Sequence, residues 1–250
     1  MSEAVETIEG WYALHDFRTI DWSRWRQWSA SDRASALRSL SSTISEWESV
    51  QAKEDGSFGV YQIVGHKADF LFLNLRPDTG QLMEVEWKLN QLPLGDVLQR
   101  PSSYYSVVEL SKYLAQGDTN PDTNPFLRRR LFPILPKTQY VCFYPMTKRR
   151  QGTDNWYTLS RDQRRQLMKD HGIIGHKYHD QVTQIITGSQ GLDDWEWGVT
   201  LYADDPLLFK KLIYEMRFDE ASAKYAEFGP FMVGIRRDVS ELARLLDIRE

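Results

Sequence analysis

The residues with the clearest chemical potential lie between positions 140 and 184. Tyr144 offers an oxidisable phenol, Met146 a thioether and Lys148 an amine, and His171 adds an imidazole. Because side chains alternate along a β-strand, the first three residues, spaced by two, would share one face. Such a set is unusual for a plain core. The many aromatic residues of the chain, 9 Trp, 12 Tyr and 11 Phe, serve either core packing or a pocket for a flat ligand with redox-active residues beside it, and composition alone does not separate these interpretations.

His171 lies near the end of a predicted helix. Ser160 and Gln163 form an S-x-x-Q capping box that fixes the start of this helix, and Gly172 is expected to end it. Leu167 and His171 share one side of the helix, because they are four residues apart. An inward histidine of this kind is either a hydrogen-bonded core residue or an axial ligand of an iron porphyrin, which needs one imidazole and an apolar pocket.

A zinc site is a weaker interpretation. Closed zinc sites use three or four His or Cys ligands. His176 and His179 have the spacing of a metal-binding pair, but nothing near them in the sequence completes a site.

Tyr144 also has two interpretations. It is either a strand tyrosine with a hydrogen-bonded hydroxyl or an electron donor, which requires a nearby oxidant and a base for its proton. Lys148 lies on the same predicted face and supplies either a titratable amine or an ammonium that could hold a carboxylate.

The order of predicted elements doubles along the chain. Each half reads strand, helix, strand, strand, helix, strand, and Leu82, Val85 and Leu89 precede Phe209, Leu212 and Met216 by 127 positions. This repetition predicts an internal duplication. The fold class is therefore α+β, with tandem ferredoxin-like (βαββαβ) repeats.

The boundaries of the two repeats follow from composition. The prediction is an N-terminal domain over residues 1–115, a linker loop over 116–136 and a C-terminal domain over 137–250. The linker begins with a polar run rich in Asn, Asp and Pro, which does not favour regular structure. The run of arginines at 128–130 is either a solvated patch or an anion site.

Composition narrows the function classes. A net charge of -4 gives no general attraction to nucleic acid or anionic lipid. Cys142 is the only cysteine, which excludes an internal disulfide and is typical of a reducing compartment, so a cytoplasmic location is expected. No apolar run approaches the roughly 18 residues of a spanning helix. Any binding of an anionic ligand must therefore depend on a local group of basic residues.

Four segments together resemble the chlorite dismutase superfamily, and within it the coproheme decarboxylase branch of Gram-positive bacteria. The similarity covers nearly the whole chain and is densest from Leu131 to Arg237. The segments are Tyr140–Lys148, the Asp170-His171-Gly172 helix end, Gln184–Trp197 and Arg217–Ser222.

The resemblance implies two ferredoxin-like domains of the dimeric α+β barrel type, haem in the second domain only, and a homopentamer. It assigns His171 as the iron ligand, Tyr144 as the residue that forms a radical and Lys148 as the partner of the reacting propionate. The cofactor-binding residues that it implies are Arg130, Tyr144, Met146, Lys148, His171, Gln184, Arg217 and Ser222.

One position departs from the wider superfamily. Members that degrade chlorite carry an arginine where this chain has Gln184. A neutral amide lacks the positive charge that would hold a hypochlorite anion. The departure therefore disfavours chlorite dismutation.

The reaction implied by the resemblance is hydrogen peroxide-dependent decarboxylation of two propionates of Fe-coproporphyrin III to vinyl groups, with haem b as product. The porphyrin is then both substrate and redox centre, and a contact with coproporphyrin ferrochelatase is expected. The local sequence offers no aspartate partner for His171, and if the other ring nitrogen lacks a strong acceptor, electron donation to iron would be weaker than in ordinary peroxidases. Two alternatives stay open: a haem-binding or haem-transfer protein, and an enzyme that detoxifies chlorite or peroxide.

Overall fold

The computed structural model describes residues 4–112 and 120–247. The strands are β1 (Thr7–Ile20), β2 (Ser57–Ile63), β3 (Phe70–Arg76), β4 (Leu98–Ser111), β5 (Tyr140–Lys148), β6 (Thr183–Gly188), β7 (Trp197–Ala203), β8 (Ala226–Phe228) and β9 (Met232–Arg237). The helices are α1 (Trp22–Gln27), α2 (Ala30–Ser49), α3 (Thr79–Gln91), α4 (Pro125–Leu131), α5 (Arg161–His176), α6 (Leu207–Met216), α7 (Glu220–Tyr225) and α8 (Val239–Leu246), with short 3-10 turns at Val50–Lys53, Pro93–Val97 and Trp156–Thr158.

The chain divides into two compact units. The N-terminal unit consists of residues 11–105 and those from 234 onward, and the C-terminal unit consists of residues up to 10 and 106–233. Each unit therefore also contains a short segment from the opposite end of the chain. Helix α4 lies within the segment 116–136 that the sequence suggested as a loop, and residues 116–119 of that segment lie outside the described part.

The N-terminal unit is built on antiparallel strands. β3 pairs with β1 on one side, with His15 opposite Leu73, and with β2 on the other, with Val60 opposite Phe72. β2 also pairs with β9, with Gln62 opposite Ile235. Helices α2, α3 and α8 contribute buried residues to a core that includes Phe58 and Phe72 from the strands.

Short elements complete the core of the N-terminal unit. Trp25 of α1 is fully buried, and its indole nitrogen donates a hydrogen bond of 2.9 Å to the carbonyl of Leu246. The buried guanidinium of Arg18 donates to Asp16 at 2.6 Å and to Asn90 at 2.8 Å. The Trp25 indole and the Arg18 guanidinium thus have protein partners, as buried polar groups and charges require.

In the C-terminal unit, strand β7 lies between strands β5 and β6. β7 pairs antiparallel with β5, with Tyr144 opposite Val199, and with β6, with Ile186 opposite Val199. β8 extends the sheet from β5, with Met146 opposite Phe228. Directly paired residues project to the same side, so Tyr144, Val199 and Ile186 share one face.

Helix α5 begins as predicted and ends later. Ser160 caps it, and the complete capping box with Gln163 is present. The expectation that Gly172 ends the helix is wrong, because α5 continues one further turn to His176. A glycine inside a helix costs only about 1 kcal/mol relative to alanine, which the anchored N-terminus and tertiary packing offset.

The α+β class and the tandem βαββαβ order are confirmed. The three residue pairs that the duplication relates, Leu82 with Phe209, Val85 with Leu212 and Leu89 with Met216, are all buried. Helices α1, α4 and α7 and strand β8 were not predicted. Within the described ranges, every helix is too short or too polar to cross a bilayer.

Candidate functional site

Strand β5 carries the three residues Tyr144, Met146 and Lys148. The strand runs without a break from Tyr140 to Lys148, so Tyr144, Met146 and Lys148 alternate onto one face as predicted. Tyr144 and Lys148 are buried, at 4% and 8% exposure, and Met146 is half-buried. The same face carries Ile186, which is 40% exposed.

Tyr144 lies among aromatic rings. It stacks on Phe231 with ring centroids 4.6 Å apart and contacts Phe228 at 5.7 Å. Burial raises the pKa of the phenol above its ordinary value, the neighbouring Cys142 adds to this shift, and the cation of Arg217 opposes it. The phenol is therefore neutral at physiological pH, and loss of an electron must be accompanied by loss of its proton.

His171 is held by a carboxylate from a distant part of the chain. Its Nδ1 lies 3.1 Å from Oδ2 of Asp219, which is the N-cap of α7 and also accepts 3.0 Å from the backbone N–H of Ser222 through Oδ1. Ser222 Oγ lies 3.5 Å from the same ring nitrogen. Burial raises the pKa of Asp219, but the hydrogen bonds from His171 and Ser222 outweigh it and leave the pKa below its ordinary value.

The local sequence offers no aspartate partner for His171, but the fold supplies one from a distant segment. Asp219 is 48 residues away in sequence, and only the unpredicted helix α7 brings its carboxylate to the ring. A carboxylate on Nδ1 fixes the tautomer and orientation of the ring and makes Nε2 a better ligand. Asp219 is a residue type favoured at helix N-caps, a signal that could have revealed the start of α7 but not its contact with His171.

Lys148 lies at the end of β5 beside an aromatic ring. Its Nζ is 4.4 Å from the centroid of Trp156, which is within cation–π range. Burial lowers the pKa of Lys148 to about 8, while the carboxylates of Asp219 and Glu196 oppose this shift. The side chain is therefore charged in the greater part of the population at neutral pH and loses its proton under mildly alkaline conditions.

Gln184 lies on β6 next to helix α5. The helix carries a glycine at position 175, one turn beyond His171, and a Cβ there would lie 3.8 Å from Nε2 of Gln184 and 3.3 Å from Cε of Met216. Gln184 and His171 therefore border the same space between strand and helix. In the described part of the chain, no protein hydrogen bond engages the Gln184 amide.

The structure brings Arg217 and Ser222 to this site but not Arg130. The guanidinium of Arg217 lies 3.6 Å above the ring of Phe228, which contacts Tyr144. Arg130 lies on α4, where its guanidinium is 5.7 Å from the ring of Phe126. Within the described residues, no contact joins Arg130 to His171, Tyr144 or Lys148.

These groups suit an iron tetrapyrrole that carries carboxylates. His171 directs Nε2 away from Asp219, as an axial ligand requires. The aromatic cluster around Tyr144 and the exposed Ile186 provide apolar surface for a flat ring. Lys148 and Arg217 are cations of the kind that pair with carboxylates.

No group of three His, Cys, Asp or Glu side chains in residues 4–112 and 120–247 has an arrangement that could hold a metal ion. His176 and His179 stack with ring centroids 4.2 Å apart, and the His179 ring is 3.0 Å from Asp180 and 2.8 Å from the His176 carbonyl. Two clefts of about 460 and 470 Å³ are lined by residues of the N-terminal unit, and His171 is not among their lining residues.

Fold and site together define a class of α+β proteins with ferredoxin-like repeats and a carboxylate-supported histidine on a helix. The chain belongs to the chlorite dismutase family, which matches residues 33–237. Among curated proteins, it is similar to the coproheme decarboxylases of two Thermus thermophilus strains. Each is 50% identical over 246 residues, which cover 98% of both chains.

Solved structures agree with this assignment. A heme-binding protein from Thermus thermophilus has a TM-score of 0.94 to this chain at 50% identity, with 98% of each chain covered. A mutant chlorite dismutase from Candidatus Nitrospira defluvii has a TM-score of 0.77 at 17% identity, with 95% of each chain covered. The second comparison shows a shared fold.

Proposed function

We propose that this chain is a coproheme decarboxylase. It would convert two propionates of Fe-coproporphyrin III to vinyl groups with hydrogen peroxide and release haem b. The observation that carries this proposal is the site in which His171, backed by Asp219 at 3.1 Å, lies in the same unit as the buried Tyr144 and Lys148. The 50% identity to coproheme decarboxylases over nearly the whole chain supports it.

His171 is the proposed iron ligand. Asp219 holds the ring through Nδ1, and because Asp219 is itself fixed as the N-cap of α7, the direction of Nε2 is set before the porphyrin binds. With peroxide present, the iron centre of the bound substrate supplies the oxidising power. The protein contributes placement, electrostatics and one oxidisable side chain.

Tyr144 is the proposed electron donor. Its phenol gives up an electron and a proton together, because burial keeps the phenolate form unfavourable. The resulting radical takes a hydrogen atom from the β-carbon of a propionate and returns to the phenol. Loss of carbon dioxide and one further electron then leaves a vinyl group.

The balance of this reaction is simple. Each propionate carboxylate, one proton and one hydrogen peroxide give one vinyl group, one carbon dioxide and two waters. Each propionate is thus oxidised by two electrons, and conversion to haem b consumes two peroxides. No other oxidant is needed.

Lys148 and Arg217 are the proposed partners of the propionates. The Lys148 ammonium is buried at the end of the strand that carries Tyr144, so a propionate that pairs with it is held near the phenol. Arg217 is anchored over Phe228, which touches the ring of Tyr144. The proposed contacts of Met146, Gln184, Ser222 and Arg130 with the porphyrin follow from the family resemblance, and Arg130 has the weakest geometric support.

Stepwise oxidation tests the reaction directly. The apoprotein is loaded with ferric coproporphyrin III, peroxide is added in portions, and the porphyrin is analysed by mass spectrometry. The expected result is loss of one and then two carbon dioxide units with two peroxides. An unchanged mass after excess peroxide would instead favour a haem-binding or haem-transfer protein, and one similar structure is described as a heme-binding protein.

A chlorite assay tests the other enzymatic alternative. Gln184 is neutral, so oxygen release from chlorite is expected to stop after few turnovers. Sustained oxygen release would contradict the assignment of this residue.

We further propose that the chain forms a homopentamer, acts in the cytoplasm and contacts coproporphyrin ferrochelatase, which would deliver its substrate. The family resemblance supports these proposals. Sedimentation analysis of the purified protein tests the assembly, and co-sedimentation with the chelatase tests the contact.

A further inference from the structure

Glu196 connects three segments around Lys148. Its Oε2 accepts 2.8 Å from the backbone N–H of Lys148, and its Oε1 accepts 2.6 Å from the hydroxyl of Tyr157. Its backbone carbonyl accepts 2.8 Å from the N–H of Ser189 and closes the loop between β6 and β7. The carboxylate therefore joins the end of β5 to the 3-10 turn Trp156–Thr158.

That turn carries the ring against which the Lys148 ammonium lies. Trp156 is 4% exposed, and its ring is 4.4 Å from Lys148 Nζ. Its backbone N–H donates 2.9 Å to the carbonyl of Arg149, and its ring meets Tyr225 edge-on at 5.6 Å. Movement of the turn would therefore displace the surface that Lys148 contacts.

The charges that face Lys148 come from two elements. Asp219 lies at the start of α7, and Glu196 lies just before β7. Asp219 is already bound to His171 and Ser222, whereas the side chain of Glu196 is bound to the backbone of Lys148 and to Tyr157. Glu196 is thus the carboxylate whose hydrogen bonds fix the Lys148 backbone and the turn together.

We propose that Glu196 is a positioning residue for the decarboxylation, a carboxylate clamp that holds Lys148 against Trp156 where a propionate meets the ammonium. This inference rests on the proposed function. In the clamp both carboxylate oxygens accept a hydrogen bond. A glutamine offers one acceptor oxygen and one NH2 group, so only the bond from the Lys148 N–H could be kept as it is, while the Tyr157 hydroxyl would have to turn and accept from the NH2 group, and the charge-assisted bond would be lost.

The test compares two isosteric substitutions. Glu196→Gln is expected to retain coproheme binding and lower the rate of haem b formation by about tenfold, because small displacements of a positioning group have effects of this order or larger. It also removes a negative charge near Lys148, so the alkaline limb of the pH–rate profile should move to lower pH. The matched control is Glu227→Gln, which changes an exposed carboxylate that lies 3.5 Å from Arg149. This control should leave rate and profile unchanged.

Tyr157→Phe provides a second measurement, independent of whether Glu196→Gln folds. It removes one of the two clamp bonds and no charge, so a severalfold loss of rate without a shift of the pH profile is expected. Wild-type rates and profiles in both variants would overturn the clamp. Failure of the wild-type protein to decarboxylate coproheme would instead overturn the proposed function, and the two failures are therefore distinguishable.

Discussion

The two units share one order of elements but fill their helix-covered faces differently. In the N-terminal unit, α1 and α8 add Trp25 and Leu246 to a continuous apolar core. In the C-terminal unit, the corresponding cluster is smaller and is bordered by His171, Lys148 and Arg217. In the C-terminal unit, the duplicated frame thus combines an aromatic cluster with titratable and charged side chains.

The two units also differ in how their polar side chains are bonded and buried. In the N-terminal unit, the buried Arg18 binds Asp16 and Asn90, and burial lowers the pKa of His15 to about 3, so this imidazole stays neutral. In the C-terminal unit, His171 has a carboxylate on one nitrogen only, and its side chain is 28% exposed. The first arrangement stabilises a core, whereas the second leaves one ring nitrogen available to a ligand.

The largest predicted effect concerns packing. Trp25→Ala in the filled unit should lower the free energy of unfolding by about 3–5 kcal/mol, because it removes a fully buried indole and its hydrogen bond. Ile186→Ala on the open face should cost less than about 1 kcal/mol, since the side chain is 40% exposed. Chemical denaturation measures both. Equal losses in the free energy of unfolding would contradict the contrast between the packed core around Trp25 and the exposed position of Ile186.

Substitutions of His171 and His15 should have separate effects, the first on coproheme binding and the second on stability. His171→Ala should weaken binding of ferric coproporphyrin III by about a hundredfold, because it removes the only proposed protein ligand to iron. His15→Ala should leave binding intact and lower the free energy of unfolding by about 2–4 kcal/mol, since the ring is 1% exposed. Absorbance titration and denaturation provide the two measurements. Full affinity in His171→Ala would place the iron elsewhere.

Asp219→Asn tests whether the negative charge next to His171 affects the bound iron. Asparagine is an equally good N-cap, so α7 should persist. Loss of the charge behind His171 should weaken coproheme binding by about tenfold and raise the Fe(III)/Fe(II) reduction potential, because the imidazole becomes a poorer donor. Spectroelectrochemistry of the bound porphyrin measures the potential. An unchanged potential would mean that the hydrogen bond only orients the ring.

The smallest predicted effect is a severalfold change of kcat/KM with pH. If the Lys148 ammonium binds the propionate, kcat/KM should fall as pH rises through about 8, the lowered pKa of this side chain. The fold should persist over the same range. Stopped-flow measurements between pH 6 and pH 10, together with circular dichroism, test this. A rate that increases over this range would identify the neutral amine as a base.

Local patterns in the sequence predicted much of the fold. Strand alternation placed Tyr144, Met146 and Lys148 on one face, and the capping box fixed the start of α5. Repeat spacing predicted the doubled α+β order, which the buried pairs confirm. These features depend on residues close in sequence or on a fixed period.

Such patterns do not predict contacts between residues that are distant in the sequence. The bond between His171 and Asp219 spans 48 residues, and the bond between Lys148 and Glu196 also spans 48. The end of α5 was misplaced because a glycine signals a helix end only when tertiary packing does not extend the helix. The roles assigned to the site residues stay predictions.

The account depends most directly on Tyr144 as electron donor. Tyr144→Phe and the control Tyr178→Phe, which changes another buried tyrosine of the same cluster, are each loaded with ferric coproporphyrin III, and the porphyrin mass is followed after two equivalents of peroxide. The account predicts that Tyr178→Phe yields haem b, while Tyr144→Phe binds the substrate but leaves all four propionates intact. Haem b formed by Tyr144→Phe at the wild-type rate would contradict it.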